Sequence, residues 1–407
     1  MPAYGAQRNL VAPGHPHVSR LSPAIRARLV TEDEVVADLL TRHPLPVAEK
    51  FLQEIFWRRY WKGWLESRPT VWRDYVDRLA GLKGTLHDVV RQRAEEVMAG
   101  RSGVALMDRF ARELAETGYL HNHARMWWAS FWVHVERLPW EVGADFFQRH
   151  LLDFDAASNT LNWRWVAGLQ TKDKPYLVRR SNLEKCCAPE LLADLTGLDR
   201  LADERVSAAV FDPKAADAPM PNPEPGRFAT YPSKPTQLPE RFGLWLHEED
   251  LTPELGELED LRPAAVAAFT SAAQDEAAGL SPLRRIYRPA ALIDAVARAD
   301  AHYGCAAGHF PVAGLTEGLV AWAAKEKLAA IVAYAPAVGP LADQVEDLRA
   351  ALTVAGVGLV LCRRPTDFQL WPYARGGYFN FWGQAEKWLR AQSKAKAKTK
   401  AAEAKAG

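Results

Sequence analysis

The stretch 117–165 constrains this chain more than any other. It reads TGYLHNHARMWWASFWVHVERLPWEVGADFFQRHLLDFDAASNTLNWRW and holds Trp127, Trp128, Trp132, Trp140, Trp163 and Trp165. A run this rich in indoles has to be largely buried, and a buried polar group needs a partner. His121, Asn122, Arg125, Asp153, Asp155 and Asn159 are nonetheless threaded through it, which marks them as groups that could grip a ligand. Asn122 and Arg125 lie three apart and share a face of a helix. Asp153 and Asp155 sit beside Asn159, where the helical pattern of 146–152 breaks off. Taken one at a time, a buried Asp is usually a helix cap and a helical Trp is usually core.

Upstream, residues 47–75 are helical and aromatic, with Glu54, Trp57, Arg58 and Trp61 recurring along one face. Such a stripe is core more often than not. Between 76 and 116 the period stays helical and predicts two or three helices, broken by Gly81, Gly84, Gly100 and Gly103. Residues 206–241 are proline-rich with little periodicity and read as a linker. Residues 242–390 differ in kind. Strand candidates at 243–247, 264–270, 330–335 and 357–362 alternate with helical stretches at 290–303, 314–327 and 340–355. That is an α/β pattern with a mostly parallel sheet. No glycine-rich phosphate loop accompanies it. The tail 391–407 is lysine-rich, of low complexity, and is expected to be disordered.

The central stretch resembles the flavin-binding heart of the DNA photolyase/cryptochrome family, whose pattern runs TGW-x-HNR-x-RM-x-ASF, W-x-x-G, D-x-D-x-A-x-N and W-x-W. Residues 4–22 resemble the family's first flavin contact, a tyrosine followed by T-S-R-L-S, with Val18 in place of the threonine. The E-x-x-W-R of that family is matched by Glu54, Trp57 and Arg58. The resemblance implies an all-α FAD-binding photolyase-like domain over 1–205, with FAD held by Tyr4, Ser19, Arg20, Leu21, Ser22, Arg58, Asn122, Arg125, Asp153, Asp155 and Asn159. Asn159 would face the flavin's N5, and Arg125 would pair with Asp153. Glu54, Trp57, Met126 and Trp165 would touch a pyrimidine dimer in UV-damaged DNA. Trp163 and Trp140 would be the inner and middle steps of an electron relay. The outer tryptophan is missing between Trp72 and Trp127, and Trp132 or Trp128 could replace it. The family's second arginine is His123, and its later F-N-P is absent.

GLWLHEEDLTPE and YFNFWGQAEKWL resemble, more weakly, the start and end of the family's antenna domain. An α/β Rossmann-like unit over 242–390 would then follow the flavin domain instead of preceding it. The expected activity is light-driven dimer splitting by a photolyase-like lyase. The alternative is a cryptochrome-like blue-light receptor that signals through flavin photoreduction. Whether an antenna chromophore binds is left open.

Charge adds little. The chain carries +1 overall, too balanced to argue for nucleic acid on its own. Cys186, Cys187, Cys305 and Cys362 show no zinc spacing. No apolar run reaches the roughly 20 residues that span a bilayer. A cytoplasmic monomer with no membrane contact is expected.

Overall fold

The computed structural model of the chain describes residues 1–171, 174–201, 220–224, 228 and 231–406, with side chains through 394. Its first half is helical: α1 (Pro2–Gln7), α2 (Ser22–Arg26), α3 (Glu32–Arg42), α4 (Leu45–Glu66), α5 (Pro69–Thr85), α6 (Asp88–Met98), α7 (Ala105–Thr117), α8 (Asn122–Ser130), α9 (Trp140–His150), α10 (Ala156–Val166) and α11 (Arg180–Cys186). Sequence punctuation sets the breaks. Thr31 and Glu34 form a reciprocal capping box that starts α3. Pro69 cannot donate to the turn before it, so the aromatic run divides into α4 and α5. Asp155 caps α10 by accepting from the Ser158 amide. The tryptophans of the central stretch fill the core, and Trp127, Trp128 and Trp132 are fully buried.

The second half is a five-stranded sheet of order β3-β2-β1-β4-β5 with every pairing parallel. Its elements are β1 (Phe242–Leu246), β2 (Ala265–Thr270), α12 (Ala272–Ala277), α13 (Pro282–Tyr303), β3 (Ala306–Pro311), α14 (Leu315–Lys325), β4 (Ala330–Tyr334), α15 (Val345–Val354), β5 (Gly358–Cys362), α16 (Pro365–Leu370) and α17 (Tyr378–Ala406). Strand side chains alternate between two cores. Ala330, Val332 and Tyr334 pack toward α13, while Ile331 and Ala333 pack toward α14 and α15. No helix among the described residues is long and apolar enough to cross a membrane.

The halves are locked by buried charge. Asp250 accepts from Arg364 through both oxygens at 2.7 Å and from Arg28 Nη1 at 3.0 Å. Arg28 also reaches Glu32 and Asp367, and Arg59 Nε lies 3.3 Å from Asp367. Arg26 donates to the carbonyls of Phe154 (2.5 Å) and Glu248 (2.7 Å) and to Glu249 (2.8 Å). Gly63 makes room for the indole of Trp371, since a Cβ there would stand 2.9 Å from the ring. Helix α17 leaves the sheet and joins the helical core through Phe381, Trp382 and Leu389.

Burial alone would raise the carboxyls of this network. The guanidinium of Arg28 instead holds Glu32 down at about 2, and those of Arg288 and Arg26 hold Glu248 at about 2. Asp250 is depressed by Arg364 and Arg28 against the same burial. Groups depressed in the folded state add stability that is complete above their unfolded values near 4 and is lost as pH falls toward about 2. Resistance to urea is therefore expected to hold from pH 7 to about pH 5 and to fall steeply between about pH 4 and 2. A flat profile across that window would remove the network from the stability of the chain.

Several expectations need correction. Gly81 and Gly84 do not break a helix; they lie inside α5, and only Gly100 and Gly103 take the positive φ of a turn. Strand β3 has no counterpart among the candidates, because AAGHFP is poor in strand-forming residues. It is an edge held by backbone pairing to β2 alone. The tail is helical through 406, as expected of alanine and lysine, which are strong helix formers. Most of the 206–241 linker lies outside the described residues.

Candidate functional site

One cavity of about 930 Å³ opens into the helical half, toward the upper end of the range for cofactor and ligand sites. Tyr4, Ser19, Arg20, Leu21, Ser22, Glu54, Trp57, Arg58, Asn122, Arg125, Met126, Asp153, Asp155, Asn159, Trp163 and Trp165 all line it. Helix α4 brings Glu54, Trp57, Arg58 and Trp61 to its wall at helical spacing, and α8 and α10 supply the opposite sides.

Arg125 Nη2 donates to Asp153 Oδ2 at 2.8 Å, and its Nε donates to the Leu120 carbonyl at 2.9 Å. Burial pushes Asp153 up, but the guanidinium of Arg125 outweighs it and holds the carboxyl below its usual range. Asp153 Oδ1 is buried with no hydrogen-bond partner among the described residues. Asp155 spends one oxygen on the cap of α10, and the other lies 3.5 Å from Lys62 Nζ. Lys62 stands equally far from Glu249, which links the cavity wall to the interdomain network. Asn159 is anchored by its Nδ2, which donates to the Ala144 carbonyl at 3.0 Å.

Arg20 adopts φ +57°, a conformation that bulky residues avoid and that persists where the surroundings enforce it. Its guanidinium lies 5.7 Å from the Tyr119 ring centre, and that of Arg125 lies 5.5 Å from the same ring. Glu54 sits 3.5 Å from Arg8 Nε. Burial raises its carboxyl and Arg8 works against that rise. His121 is held neutral, lowered to about 4 by burial and then by the neighbouring His123. Nε2 of His121 donates to the Arg8 carbonyl, and Nδ1 of His123 donates to that of Asn9, so both tie α8 to the N-terminal loop.

Among the tryptophans, Trp163 reaches the cavity with a buried indole nitrogen that has no hydrogen-bond partner among the described residues. Its ring lies against Gly143, where a Cβ would come within 2.4 Å. Trp140 is not among the lining residues. It packs on Tyr75 at 5.4 Å, Tyr75 packs on Trp72 at 5.3 Å, and the Trp72 indole donates to Asp343 at 2.8 Å. The sequence reading passed over Tyr119, Arg8 and Tyr378, which also line the cavity. Arg8 was within reach, four residues after Tyr4 on the same helical face. Tyr378 has no local signal.

A second, far smaller cavity of about 10 Å³ lies beyond the carboxyl ends of β4 and β5. The strand order reverses between β1 and β4, where open α/β sheets usually hold ligands. Here Arg28, Lys62, Glu249 and Arg364 crowd the crevice, which has room for a water at most.

Residues 51–189 match the family model described as the FAD binding domain of DNA photolyase. Over 161 residues the chain is 37% identical to a deoxyribodipyrimidine photo-lyase of Streptomyces griseus, covering 39% of this chain and 33% of that protein. It is 34% identical to the deoxyribodipyrimidine photo-lyase of Thermus thermophilus, covering 39% and 37%. It is 38% identical to a cryptochrome DASH of Gloeobacter violaceus, covering 24% and 22%. The matches thus span under two-fifths of these relatives. The residues present suit FAD: a cavity of adequate size, an unpartnered carboxylate oxygen and indole nitrogen at its wall, and hydroxyls and a guanidinium at 19–22 for a diphosphate.

Proposed function

We propose, on the premise that the helical half of this chain belongs to the DNA photolyase/cryptochrome family, that the protein uses FAD and light to split cyclobutane pyrimidine dimers in DNA. The observation that carries this reading is that Glu54, Trp57, Met126 and Trp165 border the same cavity as Arg125, Asp153 and Asn159. Cofactor grip and lesion seat would then share a wall. FAD, when bound, supplies blue-light absorption and an electron that can be lent to the lesion and returned.

The chain's own groups do the binding and orienting. Arg20, Ser19 and Ser22 offer donors to a diphosphate, and Asp153 and Asn159 offer polar atoms to a flavin ring. Glu54 would hydrogen-bond a pyrimidine ring edge, with Arg8 3.5 Å away holding it in place. Trp57 and Trp165 offer aromatic surface to an unstacked base. Flipping costs a few kcal/mol, and less for a damaged pair. For the relay we assign Trp163 and Trp140, with Tyr75 and Trp72 packed in series beyond Trp140; Trp128, 6.2 Å from Trp163 and stacked on Trp132, is the other aromatic route away from the cavity. The α/β half, antenna-like in pattern and placed after the flavin domain, has its crevice filled by charged side chains.

The test is illumination of dimer-containing DNA with the flavin-reduced protein. Loss of dimers under blue light is expected, and Glu54→Ala should slow it about tenfold, the effect of losing one hydrogen bond to a charged group. Flavin photoreduction without any dimer loss would favour the receptor reading.

A further inference from the structure

We propose that Tyr378, at the start of α17, is a positioning residue of the lesion seat: it fixes the indole of Trp57 so that a base meets a preset surface. This rests on the reading above that Trp57 belongs to that seat. The two rings lie face to face, with centroids 3.5 Å apart and planes within 8°. Aromatic pairs left to themselves prefer offset or edge-on arrangements, so the stack is held by something else.

What holds it is a clamp of hydrogen bonds between side chains and backbone. The Tyr378 hydroxyl donates to the Gln53 carbonyl at 2.8 Å, one turn before Trp57 on α4. The Tyr60 hydroxyl donates to the Gly376 carbonyl at 2.7 Å. Arg68 Nη2 donates to the Arg375 carbonyl at 2.9 Å. Tyr378 itself is buried, with Phe381 beside it.

Trp57, by contrast, is half-buried and lines the cavity. Because one face is taken by Tyr378, the indole can offer a ligand only its other face or its edge. An indole free to turn would have to be ordered on binding; one already stacked is not. Tyr378 also borders the cavity, but its hydroxyl is spent on the Gln53 carbonyl, and its role in this scheme is exerted through Trp57.

The test is fluorescence anisotropy of the FAD-loaded full chain on dimer-containing and undamaged oligonucleotides. Tyr378→Leu is expected to reduce the preference for the dimer about fivefold to tenfold, the scale of ordering one side chain. Tyr378→Phe, which keeps the ring but loses the bond to the Gln53 carbonyl, should lose less of the preference and of the near-UV circular dichroism of the stacked pair than Tyr378→Leu. Flavin content should not change in either variant. Tyr378→Met serves if leucine compromises the fold, with the same loss expected. An unchanged preference in the non-aromatic variants would overturn the inference alone, and a gain would make Tyr378 a plug instead, overturning it as well. A wild type that does not prefer the dimer would overturn the dimer-splitting reading and this inference together.

Discussion

Asp250→Ala is expected to loosen the two halves from each other and to lower the stability of the chain by about 3–5 kcal/mol, the range for breaking a buried ion pair from one side. The reason is what it leaves behind. Asp250 is the shared partner of Arg28 and Arg364; Arg28 would keep Glu32 and Asp367, but the guanidinium of Arg364 would remain buried without its carboxylate. Asp38 provides the contrast. Its pair with Arg42 on α3 has the same kind of geometry, 2.8 Å, but both side chains are mostly exposed. Asp38→Ala should therefore cost under about 1 kcal/mol. Urea midpoints of the two variants measure the difference. Equal losses would mean that burial adds nothing to the interdomain lock.

Asp153→Ala is expected to give a folded but nearly colourless protein, with flavin affinity down about a hundredfold, which is near 3 kcal/mol. Removal of this carboxylate unpairs Arg125 at the wall of the cavity and takes away a buried oxygen there that lacks a partner among the described residues. Far-ultraviolet circular dichroism should be unchanged, because Asp155, and not Asp153, caps α10. Flavin titration followed by absorbance is the measurement. Wild-type affinity in this variant would separate the Arg125–Asp153 pair from the cofactor site.

Much of the cavity was legible in the sequence because its residues come in short, local runs. Asn122, Arg125 and Met126 share the start of one helix, and Asp153, Asp155 and Asn159 surround the start of another. Helical spacing then places Glu54, Trp57 and Arg58 together without any tertiary information. Asp155 shows how the plain reading and the functional one coexist, since it is a helix cap and also lines the cavity. The interdomain network was not legible. Arg28, Asp250 and Asp367 read as ordinary surface charges, and their pairing spans 222 and 339 residues of sequence. Strand β3 escaped because AAGHFP is poor in the β-branched residues that mark a strand. Trp140 was assigned to a relay by its place in a motif. That it leads on to Tyr75 and Trp72 depends on how α5 crosses α9, which spacing along the chain does not encode.

The join between α17 and α4 also has a consequence for synthesis. The ribosome delivers residues 1–201 long before it delivers Tyr378, Phe381 and Trp382. Until then the nascent helical half holds Trp57 without its partner and Phe56 without the rings that cover it. The groups assigned to flavin all lie between residues 4 and 159, so a growing chain completes that set well before Tyr378 arrives to stack on Trp57.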